Sequence, residues 1–347
     1  MIEKYETIEA IEALKATWVR LEQDAAMRVF QTFVWNCEAL KMSSEMRPYV
    51  LKWTCKGSDD CVIFPFCIDK RGNLRFVADE FSDVCAVVSS HDGLNRHHAY
   101  KEMAETVSQD RRIKNIWLQK LDACGDSLRY LAGCFGDAVV FRDHLRGKIR
   151  SEKTDDFIAG QTHLRQKERS RLRSIAHRAG DLPFTVVDNR PEQSELRKLA
   201  WSGIALLREK MVTKGVRSGA WMSQSMMAFV QKVVMSGYAE LACLGPLENP
   251  LAVGIRLVKS GQADSWICLA DEARLVSTLY VLYMEAKCRD GEWAFDFGVG
   301  DYDYKRQTFR PEPQVSFTLR RSKGAWGTFW NFFRANVRLW RIARARS

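Results

Sequence analysis

Apolar residues in this chain of 347 residues come in short runs of strand length. The longest runs, such as Val62–Cys67 and Ser277–Met284, fall well short of the roughly 18 residues that a membrane-spanning helix needs. Polar segments rich in turn-forming residues separate the runs, and this alternation is typical of hairpins. The first half therefore predicts an antiparallel meander with strands at Tyr49–Cys55, Cys61–Asp69 and Leu74–Val77.

The chain is long enough for two domains, and its hydrophobic content of 46% can form a substantial core. A helical pattern at Ile8–Ala26 precedes the meander, and a second one at Arg96–Gln109 follows it. Strands are then expected at Ile113–Leu121 and Ala138–Phe141. The polar stretch Arg146–Gly160 comes next and predicts a crossing between domains.

The second half opens with the helical pattern Thr162–Ala179, which Gly180 is suited to end. The order that follows is one strand, two helices, three strands, a helix, two strands and a final helix. These elements are predicted at Phe184–Val187, Glu192–Lys210, Gly219–Met235, Ala239–Leu244, Leu251–Lys259, Asp264–Ala270, Ser277–Cys288, Trp293–Phe297, Val315–Arg320 and the tail. The fold class is therefore α/β with mixed sheets, divided into domains 1–150 and 151–322 and a helix 323–347. This order is compatible with two diverged copies of one fold.

Positive charge is concentrated in two places, although the net charge is +10 overall. One is the segment 165–178, and the other is the segment 320–347, which contains eight basic residues and no acid. Neither segment carries a zinc-finger or RNA-recognition signature, which argues against a sequence-specific reader of nucleic acid.

Trp326, Trp330, Phe333, Val337 and Trp340 recur at helical spacing in the tail, and the basic residues fall elsewhere on the wheel. Such an amphipathic helix either packs on the protein's own core or binds an anionic membrane surface peripherally through residues 324–347. The acidic N-terminal segment does not resemble a signal peptide, so we expect a cytoplasmic protein, with peripheral attachment to the inner face of the membrane as an option.

The ten cysteines show no C-x-x-C spacing, and the six histidines form no ligand pattern. Free, buried thiols are the expected state, and no metal site is predicted.

The stretch Trp293–Phe309 is the most distinctive of the sequence: a strand runs into Gly298 and Gly300, an acidic loop with tyrosines follows, and the pair Tyr304-Lys305 ends it. This pattern resembles the signature of GNAT-like acyltransferases of the CelD type, which are associated with cellulose and exopolysaccharide synthesis. These proteins are similar in turn to Fem-type peptidyltransferases, which have two GNAT-like domains. Weaker matches, among them Phe81-Ser82-Asp83 and Ala252-Val-Gly254, extend the resemblance over roughly residues 30–309.

The resemblance implies two tandem GNAT-like domains, with the active site in the second. In such folds two parallel strands separate, and the pantetheine arm of acyl-CoA, such as acetyl-CoA, pairs with an exposed strand edge. The implied reaction is N-acyl transfer to an amine, or transfer to a hydroxyl, of a sugar or small metabolite, with a role in polysaccharide biosynthesis. The alternative from the residues alone is a tight surface turn.

The candidate catalytic residues are Lys305 for the oxyanion or a phosphate, Asp296 and Asp301 for the nucleophile, and Tyr304 for the leaving thiolate. Asp303 is a further candidate for the nucleophile, and Tyr302 is an alternative to Tyr304. The candidate cofactor-binding residues are Cys268, Leu269, Arg274, Ser277, Gly298 and Gly300. Ser277 is expected to cap the helix that follows strand Asp264–Ala270, and Arg274 to pair with a phosphate.

The segment before that helix, Asp271–Ser277, contains two acids and lacks the glycines with which GNAT enzymes bind the CoA pyrophosphate. Fem-type proteins use an aminoacyl-tRNA donor instead, and the basic segment 165–178 offers a surface for a phosphate backbone. Two alternatives therefore remain beside acyl-CoA transfer. One is a Fem-type aminoacyl transferase, for which tRNA is the one nucleic-acid partner expected, and the other is a non-catalytic scaffold of membrane-associated polysaccharide synthesis.

Overall fold

A computed structural model describes residues 1–23, 27–89, 96–123, 125–216, 222–299 and 305–322. The chain divides into two compact units. Unit 1 comprises Met1–Leu145 together with the segment that begins at Gln314, and unit 2 comprises Arg146–Pro313. The sequence placed this division at residue 150 and began the tail at 323.

Unit 1 is a mixed sheet with helices, and the predicted meander forms its centre. Its elements are β1 (Ile2–Tyr5), α1 (Ile8–Glu12), α2 (Lys15–Leu21), α3 (Phe33–Met42), β2 (Met46–Thr54), β3 (Cys61–Asp69), β4 (Asn73–Phe76), β5 (Val88–Ser89), α4 (Arg96–Gln109), β6 (Asn115–Asp122), α5 (Asp126–Cys134) and the start of β7 (Val139–Ser151). The sheet order is β1-β2-β3-β4-β6-β13, where β13 is Glu312–Ser322, and β5 lies beside β3.

Unit 2 contains the second half of β7 and the following elements: α6 (Phe157–Gly160), α7 (Gln166–Ala176), β8 (Phe184–Val187), α8 (Ser194–Thr213), α9 (Gln224–Met235), β9 (Ala239–Leu244), β10 (Ala252–Lys259), β11 (Gln262–Ala270), α10 (Ala273–Asp290) and β12 (Trp293–Val299). The sheet order is β8-β9-β10-β11-β12-β7. A single turn of π-helix, Lys305–Phe309, follows β12.

The two sheets have the same plan. In each sheet the first four strands run antiparallel to one another. A crossover helix, α4 in unit 1 and α10 in unit 2, leads to a fifth strand that is parallel to the fourth. A sixth strand borders the fifth in antiparallel orientation. The prediction of a mixed α/β fold compatible with two copies is confirmed, even though the sequence shows no fixed-period repeat.

Two predicted helices have other bounds in the structure. The helix predicted at Ile8–Ala26 is α1 and α2, two short helices. The helix predicted at Thr162–Ala179 is α7, which spans only Gln166–Ala176, and a 3-10 turn at His177–Ala179 follows it with Gly180 as its C-cap residue. The polar stretch that begins at Arg146 was expected to mark the crossing between domains, and unit 2 does begin at Arg146. Its first residues continue β7 to Ser151 and pair with β12, because a buried partner compensates the charge of Arg146.

Each unit has its own apolar core. In unit 1 it is formed by β2, β3, β4, β6 and α4, with Phe64, Phe66 and Phe76 fully buried. In unit 2 the face of α10 that carries Leu279, Tyr283 and Met284 packs against the sheet and against α7. No helix in the described part of the chain combines the length and apolar character required to cross a membrane.

Gly203 on α8 gives a test of this packing. A Cβ at Gly203 would overlap Leu247 O and lie 2.7 Å from Pro250 Cδ, whereas a Cβ at Gly133 on α5 would have nothing within 4 Å. Gly203→Ala is therefore expected to lower the free energy of unfolding by about 2 kcal/mol or more. Gly133→Ala should raise it by up to about 1 kcal/mol, since alanine favours helix. Urea unfolding of both variants measures this, and a stabilised Gly203→Ala protein would contradict the packing.

Candidate functional site

The parallel strands β11 and β12 of unit 2 separate soon after they meet. Their register has three pairs, from Gln262 with Ala294 to Asp264 with Asp296, although β11 continues to Ala270 and β12 to Val299. Beyond Asp296, β12 remains paired with β7, where Val299 lies opposite Arg146. The two strands therefore enclose a wedge that opens toward their C-terminal ends, and we call this space the wedge.

Both strands are irregular at the point of separation. On β12, the register with β7 shifts between Asp296 and Val299, and Gly298 has a φ of 72°, a conformation that favours glycine. On β11, Ile267 pairs with Ile255 and Ser265 with Arg256, so that Trp266 is an extra residue, a β-bulge. Bulges bend a strand and redirect its main-chain groups, and they are frequent beside active sites.

Three buried side chains hold the bend in β12. The Asp296 carboxylate accepts a hydrogen bond from Gly298 N at 2.9 Å and pairs with Arg146 Nη1 at 2.6 Å. Lys305 Nζ donates to Phe297 O at 2.6 Å and to Gly298 O at 3.4 Å. Both the main-chain donor and the main-chain acceptors of the bend are thus engaged by charged groups, which hold it in one conformation.

A small cavity of about 10 Å³, enough for about one water molecule, lies at the narrow end of the wedge. Its apolar wall belongs to β11, β12 and α10, and its polar wall consists of an arginine, three hydroxyl groups and a carboxylate. The lining residues are Ala263, Met284, Phe295 and Phe297 on the apolar side and Arg256, Ser265, Tyr280, Tyr283 and Asp296 on the polar side. Phe309 packs on Phe297 and Tyr280, with ring centroids 5.0 and 6.0 Å apart, and closes an aromatic cluster.

Arg256 is the buried cation of the polar wall, with 1% of the residue exposed. Its guanidinium lies 4.2 Å from the ring centroid of Tyr280, and Nη1 donates to Ser265 Oγ at 2.6 Å. The hydroxyls of Ser265 and Tyr280 are themselves in hydrogen-bond contact. A Cβ at Gly254 would lie 2.8 Å from Arg256 Cζ, so this guanidinium position requires a glycine two residues earlier in the strand.

A second buried network adjoins the cavity. Tyr283 OH donates to Glu240 at 2.8 Å, and Lys287 Nζ donates to the other carboxylate oxygen at 2.9 Å. Burial raises the pKa of Tyr283 well above its usual value, and the charge of Glu240 adds to this effect. Tyr283 therefore lines the cavity as a protonated phenol.

The N-terminus of α10 is occupied by ion pairs. The helix begins at Ala273 with Glu272 as its N-cap residue, so the expectation that Ser277 caps it is wrong: Ser277 lies inside the helix, a turn beyond the start. Arg274, expected to pair with a phosphate, donates to Glu272 at 2.6 Å, and Lys214 pairs with Asp271. An incoming phosphate would meet two carboxylates at this end, although the helix dipole favours an anion there.

The equivalent space in unit 1 is filled. Strands β4 and β6 also form a short parallel register, which ends at Leu74 with Ile116. The chain after β4 then folds between them: Lys120 Nζ on β6 donates to Asp79 O at 2.7 Å and to Ser82 O at 2.6 Å. Asp79 also accepts from Arg75, at 2.8 and 3.0 Å. Burial raises the pKa of Asp79, and Arg75 opposes that rise. The segment Phe81-Ser82-Asp83 thus belongs to the part of the chain that fills this space, so unit 2 is the better candidate for the active site.

The structure brings three predicted residues together, Asp296, Gly298 and Lys305, around the bend. Cys268 and Leu269 lie on β11 beyond its last pair with β12, along the wedge. Arg274 and Ser277 lie on α10 instead. Gly300, Asp301 and Tyr304 fall outside the described residues, as does the tail helix, so their roles stay predictions.

Sequence reasoning missed Arg146, Arg256, Ser265 and Tyr280. Arg256 gave a usable signal, since it is the one charged residue inside the otherwise apolar run 251–258. Within the described ranges, no cluster of His, Cys, Asp and Glu is placed to hold a metal ion.

Comparison with known proteins supports the fold. No protein-family model and no curated protein matches the chain in sequence. Among solved structures, the C-terminal domain (DUF2156) of a putative lysylphosphatidylglycerol synthetase from Agrobacterium fabrum is similar, with a TM-score of 0.59, 9% identity, and 94% of this chain and 96% of that chain covered. L-PGS from Bacillus licheniformis is similar with a TM-score of 0.56 and 12% identity, and the match covers 91% of this chain and 92% of that chain.

A tandem GNAT protein from the clavulanic acid biosynthesis pathway is also similar, with a TM-score of 0.50, 9% identity, and 93% of this chain and 99% of that chain covered. The expected fold of two tandem GNAT-like domains is therefore confirmed. At these identities the likeness concerns the fold.

Lys305 was predicted to act on the substrate, and its contacts predict a contribution to stability. Replacing Lys305 with Met leaves the buried carbonyl groups of Phe297 and Gly298 without this donor, which should cost about 2 to 3 kcal/mol. Lys198→Met is the control: Lys198 is 65% exposed and pairs with Glu195 on the surface of α8, so its loss should change stability by less than about 0.5 kcal/mol. Equal unfolding free energies for the two variants would contradict this role.

Proposed function

We propose that unit 2 is an acyltransferase whose activated acyl donor lies in the wedge between β11 and β12. The observation that carries the proposal is the separation of two parallel strands at Asp264 and Asp296, with the bend at Gly298 held by buried charges. The main chain of β11 beyond Asp264 offers an extended donor a strand edge.

The reaction that fits this site is attack of an amine or hydroxyl on the acyl carbonyl carbon. The new C–N or C–O bond forms as the bond from that carbon to the donor's sulfur or oxygen breaks, and the proton of the nucleophile passes to a base while the leaving group takes up a proton. In this proposal a main-chain N–H of β11 near the Trp266 bulge stabilises the oxyanion. Asp301 and Tyr304 remain the proposed base and acid, and Lys305 and Asp296 act as positioning residues that hold the bend.

The donor is acyl-CoA in the simplest form of this proposal, with an amine or hydroxyl of a saccharide or small metabolite as acceptor. The same proposal includes a role in polysaccharide synthesis, a relationship to the CelD type, and peripheral membrane contact through residues 324–347. The tandem GNAT similarity is compatible with such a donor.

The N-terminus of α10 favours a second candidate. Asp271 and Glu272 lie where a CoA pyrophosphate would need N–H groups and positive charge, and no glycine accompanies them. An aminoacyl ester donor does not need that site. Two of the similar structures are described as lysylphosphatidylglycerol synthetase or L-PGS, and the exposed basic side chains Lys167, Arg171 and Arg178 offer a surface for a polyanionic carrier such as tRNA.

Donor binding is testable by ligand-induced stabilisation. A donor present at about 100 times its dissociation constant should raise the unfolding free energy by about 2.7 kcal/mol. A panel of acyl-CoA thioesters and aminoacyl-tRNAs is compared, and tRNA binding should weaken steeply with salt. Absence of stabilisation by every activated acyl compound would favour the scaffold alternative and contradict the enzyme proposal.

Gly298→Ala tests whether that binding occurs in the wedge. The substitution strains a φ of 72° and should cost about 1 kcal/mol. Gly180→Ala is matched, because Gly180 has a φ of 55° and an open Cβ position away from the wedge. Both variants should lose stability, Gly298→Ala the more because Gly298 is buried and Gly180 is exposed, and only Gly298→Ala should lose donor-induced stabilisation. If both variants retained donor-induced stabilisation equally, the wedge would be excluded as the place where the donor binds.

The second candidate predicts that the CoA moiety adds no affinity. An acyl-CoA and the N-acetylcysteamine thioester of the same acid, which lacks the nucleotide, should then bind within about twofold of each other. The double variant Asp271→Asn, Glu272→Gln should strengthen acyl-CoA binding alone, because Lys214 and Arg274 lose their acidic partners and can pair with phosphate. Much tighter binding of acyl-CoA by the unmodified protein would instead identify CoA as the donor.

A further inference from the structure

We propose that α8 forms the interface of a symmetric dimer, in which its exposed stripe of Leu199, Ser202 and Leu206 packs antiparallel against the same stripe of a second copy of this chain. We call this stripe the leucine face. The contact involves none of the residues assigned to the wedge, so it does not depend on the donor or the reaction proposed above.

Helix α8 carries apolar side chains on two of its sides. The inner side is buried in unit 2 and includes Ile204, Leu207 and Met211. Leu199 and Leu206 lie on another side, and they are 41% and 40% exposed. A surface helix needs one apolar stripe to pack on its own domain, so a second stripe indicates a further contact.

Exposed leucine is concentrated on this helix. Among the described residues, eight large apolar side chains are exposed, and three of them are Leu196, Leu199 and Leu206 of α8. The other five are valines and methionines that lie outside α8. Single exposed apolar side chains need no explanation, whereas several on one helix mark a contact surface.

The order of residues on the leucine face fits a two-fold contact. Leu199, Ser202 and Leu206 recur at spacings of three and four, so they are neighbours along one stripe. In an antiparallel pair centred between Ser202 and Gly203, Leu199 of each copy lies opposite Leu206 of the other. The small Ser202 then lies beside the two-fold axis, where the helices come closest. The face is therefore complementary to itself, as a closed dimer requires.

Charges beside the leucine face favour the antiparallel orientation. Lys198 and Glu209 are exposed and lie on the same flank of the stripe, because they are separated by about three helical turns. The antiparallel pairing brings Lys198 of one copy beside Glu209 of the other, while Lys198 also pairs with Glu195 on its own helix. A parallel pairing would instead place lysine beside lysine and glutamate beside glutamate. Electrostatic complementarity thus selects the antiparallel arrangement.

The size of the leucine face predicts a weak dimer. Helix α8 has 20 residues and is therefore about 30 Å long. One pair of helices of this length buries on the order of 1,000 Å² in total, which is at the lower end for specific interfaces. We expect a dissociation constant on the order of 10 µM, so the dimer should form at high protein concentration and dissociate at low concentration.

Sedimentation velocity of the full chain from about 1 to about 200 µM measures the association. The double variant Leu199→Ala, Leu206→Ala should raise the dissociation constant about tenfold or more. Val19→Ala is the matched control, because Val19 on α2 is 40% exposed and lies outside the leucine face, and it should leave the constant unchanged. A chain that stays monomeric at the highest concentration, or a dimer that survives the loss of both leucines, would overturn the inference.

Charge reversal and cross-linking test the orientation. Lys198→Glu and Glu209→Lys should each weaken the dimer about threefold or more, because like charges then meet, and the combined variant should return to within about twofold of the original affinity. Ser202→Cys should give a disulfide-linked dimer on oxidation with copper phenanthroline, whereas Ser225→Cys, exposed on α9, should not. If the combined variant stayed as weak as the single ones, or Ser202→Cys linked no better than Ser225→Cys, the antiparallel contact through α8 would be refuted.

Discussion

The buried pair of Arg146 and Asp296 is the interaction on which the site depends. Two opposite charges are tolerated in the protein interior only when their geometry is good and their remaining hydrogen-bonding groups have partners. Here one carboxylate oxygen of Asp296 takes the Arg146 guanidinium and the other takes Gly298 N. The pair thereby fixes the residue at which β12 leaves β11, and with Lys305 it holds open a gap between strands that main-chain pairing would otherwise close.

Comparison of the two units shows that the sheet plan alone does not make a site. Both units have a short parallel register between the fourth and fifth strands of the same topology. In unit 1 the lysine at that point, Lys120, binds the carbonyls of a returning segment and so seals the space. In unit 2 the lysine, Lys305, binds the carbonyls of the strand itself. A lysine that binds main-chain carbonyl groups thus closes the space between the parallel strands in unit 1 and preserves it in unit 2.

Local patterns predicted the strands and helices well, because short apolar runs and turn residues act within a few positions of each other. The strands Cys61–Asp69, Phe184–Val187 and Ala239–Leu244 have the predicted bounds. The site depended on distant pairs that no local pattern contains: Arg146 and Asp296 are 150 residues apart. For the same reason Arg146 was assigned to a polar crossing, since nothing near it in the sequence indicates a buried partner. The glycine at position 298 predicts a bend, whereas the hydrogen bonds by which Lys305 holds this bend can be seen only in the folded structure.

Substrate choice has to be argued from side chains, since the fold is shared with proteins of 9 to 12% identity. At that distance the backbone plan is retained while the groups that meet a ligand differ freely. The clearest such groups here are the two acids at the start of α10, where a phosphate would bind. They oppose negative charge on the carrier, whereas Asp296 and Lys305 act on the main chain of the bend in β12. Because the two sets of residues are separate, substitutions at the start of α10 can identify the carrier while they leave the bend unchanged.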